Sequence, residues 1–209
     1  ISRELAPNYN LGLFIPSPNN RHQSGEHKSR WVVNPRANTT YHFSLFEFVG
    51  VLMGCCFRTG GHLALDLPTM FWKAITREEV TDADLEEVDL QLVSLLRMLR
   101  ECPSEELLAE ATDATNGEPL TWTYRSCDDE LHELRPNGRN QHVEFAELGA
   151  YIEALRARKV GEARLQVKRI VQGLSQLVPA AYLHCLTGEE LKLIICGRPR
   201  VDVDLLKKH

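Results

Sequence analysis

Apolar residues run almost unbroken from Phe43 to Phe57, with only Ser44, Glu47 and two glycines among them. A helix of this composition has no polar face to give to water, so burial on nearly all sides is expected. The run is interrupted and shorter than the about 20 apolar residues that span a bilayer. Gly50 and Gly54 lie four apart, on one helical face, where a second backbone could approach closely. Arg58-Thr59-Gly60-Gly61 ends the segment, and Leu63 to Trp72 begins another apolar one. The pattern predicts a central helical hairpin in a mostly helical domain, with Cys55 and Cys56 buried in it and Cys185 buried in a later apolar helical stretch.

Upstream, Leu11 to Ile15 reads as a short strand closed by Pro16-Ser17-Pro18-Asn19-Asn20, and the polar stretch to Ser29 as a mobile loop. Trp31-Val32-Val33 before Asn34-Pro35 reads as a brief extended segment. Thr76 to Asp89 carries seven acidic residues against one basic. Asp84, Glu86, Glu87 and Asp89 suit a helix's first turn, where the macrodipole favours negative charge. Leu92, Leu95, Leu96 and Leu99 then form one helical stripe that ends at Cys102-Pro103.

Between Gly117 and Val143 the period shortens. Leu120 to Tyr124 and Glu130 to Leu134 alternate as strands do, and Pro136-Asn137-Gly138 is a turn signal, so a small β-hairpin is expected. Helices are expected over Phe145 to Arg158 and Glu162 to Leu177, with Pro179 opening a further one. Thr187-Gly-Glu-Glu190 has capping-box spacing ahead of Leu191 to Ile195. A last helix would start at Asp204. The fold class is α+β, mostly α-helical.

Composition adds bounds. With 209 residues, 43% hydrophobic and 25% charged, the chain can bury a substantial core. A net charge of -5 disfavours nucleic acid as a partner, and no signal, lipidation or membrane-spanning segment is read. Six cysteines are too few for a disulfide scaffold, so a reducing, cytoplasmic setting is expected, with the nucleus as a further compartment. Ile1 opens mid-pattern without an initiator Met, as in a piece of a longer protein. Cys127, His132 and His142 are the nearest thing to a metal set, and they lack a second ligand pair. No phosphate loop, dinucleotide fingerprint or nucleophile elbow is present. The basic residues of Arg156 to Arg169 read as a solvated helix face. Taken alone, the residues describe a helical domain with a β insert and no visible chemistry or cofactor.

Several motifs in order nevertheless resemble one family. Ser2-Arg3-Glu4, Leu13-Phe-Ile-Pro-Ser-Pro-Asn19 and Asn34-Pro35 are followed by Phe46-x-Phe48-x-Gly50-x-Leu52-Met53-Gly54. Leu65-x-Leu67-Pro68, Phe71-Trp72-Lys73 and Asp84-Leu85-Glu86-Glu87-Val88-Asp89 come next, then Leu134-x-Pro136-Asn137-Gly138-x-Asn140. Leu191-x-x-Ile194-Ile195-Cys196-Gly197, Val201-Asp202 and Leu205-Leu206-Lys207 close the series. Together they resemble the amino-terminal lobe of HECT-type ubiquitin-protein ligases, most of all the very large HERC-type members.

The resemblance implies a large helical subdomain (residues 1–80 and 156–209) and a small one (81–155) that docks the ubiquitin-conjugating enzyme. It implies ubiquitin, the carboxy-terminal lobe and protein substrates as further partners. The family's catalytic cysteine lies in that second lobe, so no residue here takes a catalytic role and the lobe alone is expected to be inactive. By the same resemblance, Tyr151 and Leu155 fall at groove positions, with Leu96, Leu99, Trp122 and Tyr124 as candidate walls. Leu96 and Leu99 fit the core better than a contact surface, and Tyr151, an aromatic with a polar tip, suits either role. His142 to Gly149 departs from the family pattern, which leaves the choice of conjugating enzyme open. A non-catalytic helical interaction module is the alternative reading, and a metal enzyme using Cys127, His132 and His142 a third.

Overall fold

The computed structural model describes residues 4–7, 11–106, 108 and 119–198. Strand β1 (Phe14–Pro16) pairs antiparallel with β2 (Trp31–Val33), with Phe14 opposite Val33 and Pro16 opposite Trp31. Between them the polar stretch is not simply a loop. Helix α1 (Pro18–His22) opens it, capped by Ser17, whose hydroxyl accepts from the Asn20 amide at 3.1 Å, with Pro18 in the first turn. Asn19 is buried.

Helix α2 (Thr40–Thr59) is the long apolar helix, capped by Thr39 and stopped by Gly60 at φ 69°. Its buried face is Phe46, Val49, Gly50, Met53 and Gly54. The opposite face is open: Tyr41 is 66% and Phe48 56% exposed. Burial on nearly all sides was therefore too strong an expectation, because only one side of α2 receives a partner helix. At 20 residues it is also long and apolar enough to cross a membrane, although here it serves as a core helix.

Its partner is not the next apolar segment. Gly61 to Pro68 forms no helix, and is tied down by hydrogen bonds from the Leu63 amide to the Ile195 carbonyl and from the Trp31 amide to the Asp66 carbonyl, both 2.9 Å. Helix α3 (Thr69–Thr76) follows. The expected hairpin is replaced by a long-range pair, in which α2 packs on a helix more than a hundred residues later. The glycine argument holds with this new partner. A Cβ on Gly50 would lie 2.0 Å from the Ile170 carbonyl oxygen.

Helix α4 (Asp82–Glu86) is short, with a capping box between Thr81 and Asp84. Asp84 also takes Lys73 at 2.7 Å. Helix α5 (Leu90–Glu101) starts at its own cap, Asp89. The acidic run thus supplies two helix starts rather than one. Strand β3 (Thr123–Arg125) pairs with β4 (Leu131–Glu133), Tyr124 facing His132. The hairpin turns at Ser126–Glu130, where Asp129 adopts φ 71°. Pro136-Asn137-Gly138 lies after β4 and serves another purpose: a Cβ on Gly138 would sit 2.3 Å from the Trp122 carbonyl oxygen.

A 3-10 turn (Phe145–Glu147) leads into α6 (Leu148–Gly161), followed by α7 (Arg164–Ser175), α8 (Ala180–Leu183) and α9 (Gly188–Cys196). Helix α7 is the partner of α2, and α9 carries the expected capping box between Thr187 and Glu190. The helix expected from Asp204 lies outside the described residues. Helices α2, α3, α7 and α9, with β1, enclose the main core around Phe46, Trp72, Ile170 and Leu191. A separate core is formed by α5, α6 and the residues flanking β3. The fold is mostly helical with two small antiparallel sheets.

The cysteines correct another expectation. Cys55 and Cys185 are exposed and Cys56 is half-buried, because the outer side of α2 and the end of α8 are uncovered. Cys127 is the buried one, and burial pushes its thiol well above the usual range.

Candidate functional site

The second core is built by two amphipathic helices. On α5, Leu92, Leu96 and Leu99 recur at three- and four-residue spacing and turn inward; on α6, Leu148, Tyr151, Ile152 and Leu155 do the same. Trp122 wedges between them, its ring 5.6 Å from that of Tyr151 and edge-on at 87°. The Arg135 guanidinium lies 3.9 Å over the Trp122 ring and holds Glu147 at 2.9 Å, which keeps the Glu147 carboxyl below its usual range. The chain between β4 and α6 is thereby fastened at both ends.

Of the six residues that the family resemblance nominates, five are buried. Leu96, Leu99 and Trp122 belong to the core and are not among the residues lining the cleft beside Tyr151. They are not available to a partner in this conformation, because α6 and the β3 region cover them. Tyr151 and Leu155 are also buried, but their edges reach an open cleft of about 260 Å³ that half-buried Tyr124 shares. Leu92 and Leu95 complete its apolar lining, and Arg21, His22 and Arg125 stand among its polar residues. The phenol of Tyr151 donates to the Thr123 carbonyl at 3.3 Å, and burial pushes its pKa up to about 12. Tyr151 thus has its body in the core and its rim at the cleft. We expect Tyr151→Phe to cost about 1 kcal/mol, the worth of one hydrogen bond. Urea unfolding measures it, and an unchanged midpoint would place the hydroxyl outside the packing.

Bordering the cleft through Asp89 and Lys159 is a buried ionic knot that the sequence reading missed. Lys159, 5% exposed, pairs with Asp89 at 3.3 Å and Glu162 at 3.6 Å. The Cys127 amide donates to Glu162 at 3.0 Å. Burial works to lower the Lys159 pKa, but its interactions with Cys127, Glu162 and Asp89 outweigh this and raise it. Burial lifts the Glu162 carboxyl, outweighing the pull of Lys159. The basic stretch from Arg156 is therefore not a uniformly solvated face. Arg156 binds Asp82 at 2.9 Å, and Lys159 is internal. A lysine on the same helical side as Tyr151 and Leu155, at i+8 and i+4, was the available signal.

Cys127, His132 and His142 do not converge. Among the described residues the grouped set is Asp128, Glu130 and His132, on the hairpin. It is occupied internally: Arg36 pairs with Asp128 and with Glu130, the latter at 3.4 Å.

A mostly helical lobe with its second core set apart in a helix-and-hairpin unit defines a class, and comparison with known proteins gives that class its family. Residues 1–209 match the family described as HECT-domain (ubiquitin-transferase). The chain is 32% identical over 197 residues to the human E3 ubiquitin-protein ligase HERC2, covering 93% of this chain and 4% of that protein. It is 28% identical over 211 residues to mouse E3 ubiquitin-protein ligase HUWE1 (100% and 4%). It is 26% identical over 215 residues to human probable E3 ubiquitin-protein ligase HECTD4 (95% and 5%). The chain belongs to the HECT-domain family, and it spans only a small part of the length of these relatives.

Proposed function

We propose that this chain is the amino-terminal lobe of a HECT-type ubiquitin-protein ligase. In this reading residues 81–155 recruit a ubiquitin-conjugating enzyme, so that ubiquitin passes to a cysteine of a second lobe and then to substrate lysines. The lobe's contribution is positioning, since the attacking thiolate lies elsewhere. The family supports the reaction class. The observation that carries the docking reading is the convergence of Tyr124, Tyr151 and Leu155 on one open cleft, lined further by Leu92 and Leu95. The separate core of α5, α6 and the β3 flank supports treating 81–155 as its own unit.

Binding of a panel of conjugating enzymes to the purified lobe tests the proposal. For a partner that binds, Tyr124→Ala and Leu95→Asp are expected to weaken affinity about thirtyfold, or about 2 kcal/mol. Thermal melts show whether each variant is still folded. Met98→Asp and Phe145→Asp change exposed apolar residues elsewhere on the same unit and are expected to bind as the parent does. Loss confined to these two would move the docking surface away from the cleft. Undiminished binding by all four folded variants would overturn docking by this unit.

A further inference from the structure

Helix α1 comes early in the chain, between β1 and β2, yet it is built against the small unit. Its five residues are too few to hold as a helix by themselves, and what fixes it there is Asn19. That buried side chain donates to the Glu86 carbonyl and accepts from the Leu90 amide, both 2.8 Å, and the Asn19 backbone amide donates to the Val88 carbonyl at 3.0 Å. A buried amide with its partners met holds one geometry, because a shift would leave polar groups unsatisfied. Helix α1 is thus bonded to the chain on either side of Asp89, the residue that caps α5. Arg21 and His22, in its last turn, are thereby set in the wall of the cleft that Tyr124 and Tyr151 share.

The charges of that wall do not balance. Of the carboxylates lining the cleft, Asp89 takes Lys159 at 3.3 Å and caps the Leu92 amide at 3.0 Å, while Asp129 takes Arg125 at 3.4 Å. Lys159 and Arg125 are thereby answered as well. Among the described residues, the side chains of Arg21 and His22 make no ion pair or hydrogen bond, and both are exposed. The imbalance is local, since residues 81–155 hold 18 acidic residues against five basic. A partner drawn to this unit by its general charge would be basic, and at the α1 edge it would meet Arg21. Two free donors, one of them a permanent cation, beside an apolar lining call for a different group there: a carboxylate next to an apolar side chain. The cleft of about 260 Å³ falls below the about 300–1,000 Å³ of pockets that hold free small molecules, and it suits one or two side chains presented by a protein.

We propose that Arg21, with His22 beside it, is a specificity-determining wall of the docking cleft: it selects a conjugating enzyme whose docking loop carries a carboxylate next to the apolar residue that enters beside Leu92, Leu95 and Tyr124. The inference rests on the docking reading above and names the chemistry of its partner. The guanidinium offers a planar fork of donors that matches a carboxylate. Such a rim charge fixes the orientation in which the loop enters and excludes loops with a cation at that place. It also extends the docking surface beyond residues 81–155, to a helix that lies earlier in the chain.

The test uses a conjugating enzyme that binds the parent lobe and loses affinity for Tyr124→Ala, so that the cleft is already shown to be its site. A panel without such an enzyme defeats the docking reading and this inference with it. At about 50 mM salt, Arg21→Ala is expected to weaken binding about threefold, the scale of one exposed ion pair, and Arg21→Glu about tenfold. Both losses should shrink at about 1 M salt, where the screening length falls to about 3 Å. Lys28→Glu makes the same change of charge at an exposed residue outside the cleft lining and is expected to bind as the parent does. The Asp and Glu residues of the enzyme's docking loop are then changed singly to Lys. One of them should weaken binding to the parent and restore binding to Arg21→Glu, a reversal that a change of net charge or of fold does not give. Arg21→Ala and the salt series read the same contact if Arg21→Glu fails to fold. Parental affinity in Arg21→Glu, alongside the loss in Tyr124→Ala, overturns the inference and leaves the docking reading standing. So does an equal loss in Lys28→Glu, or the absence of any restoring substitution in the loop.

Discussion

Replacing Gly50 by Leu is expected to abolish the folded state of the lobe, and Gly173→Leu should do the same. The two glycines sit on facing helices at the closest point of the α2–α7 crossing. A Cβ on Gly173 would stand 1.9 Å from the Glu47 carbonyl oxygen, and one on Gly50 would stand 2.0 Å from that of Ile170. In each case the obstacle is backbone, which has no rotamer by which to retreat. Overpacking costs typically about 1–3 kcal/mol where side chains can shift, and here the helices themselves must separate, so the loss should exceed that range. Separation would also strip the main core, because Phe46, Val49 and Met53 lie on the same side of α2 as Gly50. Gly54→Leu should be milder, since what it meets first is the Leu177 side chain at 2.9 Å. Gly149→Ala is the control: nothing lies within 4 Å of its Cβ position, and removing a helical glycine should stabilise by about 0.5–1 kcal/mol. Circular-dichroism melts decide it. A Gly50→Leu protein that melts cooperatively near the parent temperature would mean that the crossing is not as close as described.

That same crossing shows what the sequence discloses and what it withholds. The pair Gly50 and Gly54 announces close approach to some backbone, because spacing of four places both on one helical face. Nothing local says which backbone, and the next apolar segment was the natural but wrong candidate. The partner glycine, Gly173, lies in a helix whose own pattern is ordinary. Local signals were read well where a few adjacent residues settle the geometry, as with the Thr187 capping box or the alternation that gives β4. The Pro136-Asn137-Gly138 signal failed in an instructive way. It marks a real left-handed turn, Asn137 having φ 61°, but the turn serves close packing of Gly138 on Trp122 rather than the hairpin. The six nominated residues lie together around one core, but the sequence does not say which of them reach a surface. Leu96 and Trp122 carry the same hydrophobic signature whether they face a groove or a core, and only the tertiary cover of α6 separates the two. The Lys159 knot was hidden because a lysine in a basic stretch normally stays in water.

The knot carries the second large effect. Lys159→Met should cost about 3–5 kcal/mol near neutral pH, the usual loss when one partner of a buried ion pair is removed. The methionine fills much of the space, so the deficit comes from Asp89 and Glu162, which remain buried as two carboxylates without their cation. Glu162 is the more exposed to this loss in energetic terms, because its side chain is only 6% accessible against 16% for Asp89. The pH dependence has a definite sign. In the parent the Glu162 pKa is raised above its ordinary value, so between the unfolded and folded values the folded form holds a proton that the unfolded chain has released. The stability from such a group is fully present below the unfolded value of about 4.5 and is lost as pH rises through the folded value. Removing Lys159 takes away the charge that pulls this pKa down, so the folded value climbs further and the window widens upwards. The deficit of Lys159→Met relative to the parent should therefore shrink as pH falls from about 7 towards about 5. Asp82 and Asp84 have lowered pKa values and destabilise the fold when protonated, but they are common to both proteins and cancel in the difference. Adding Glu162→Gln to Lys159→Met should recover a large part of the loss at neutral pH, since a neutral amide tolerates the site and can still accept from the Cys127 amide. Urea unfolding of the three proteins at the two pH values measures all of this. A deficit that is absent, or that does not change with pH, would show that Asp89 and Glu162 reach water without Lys159 and that the knot is not a closed pin.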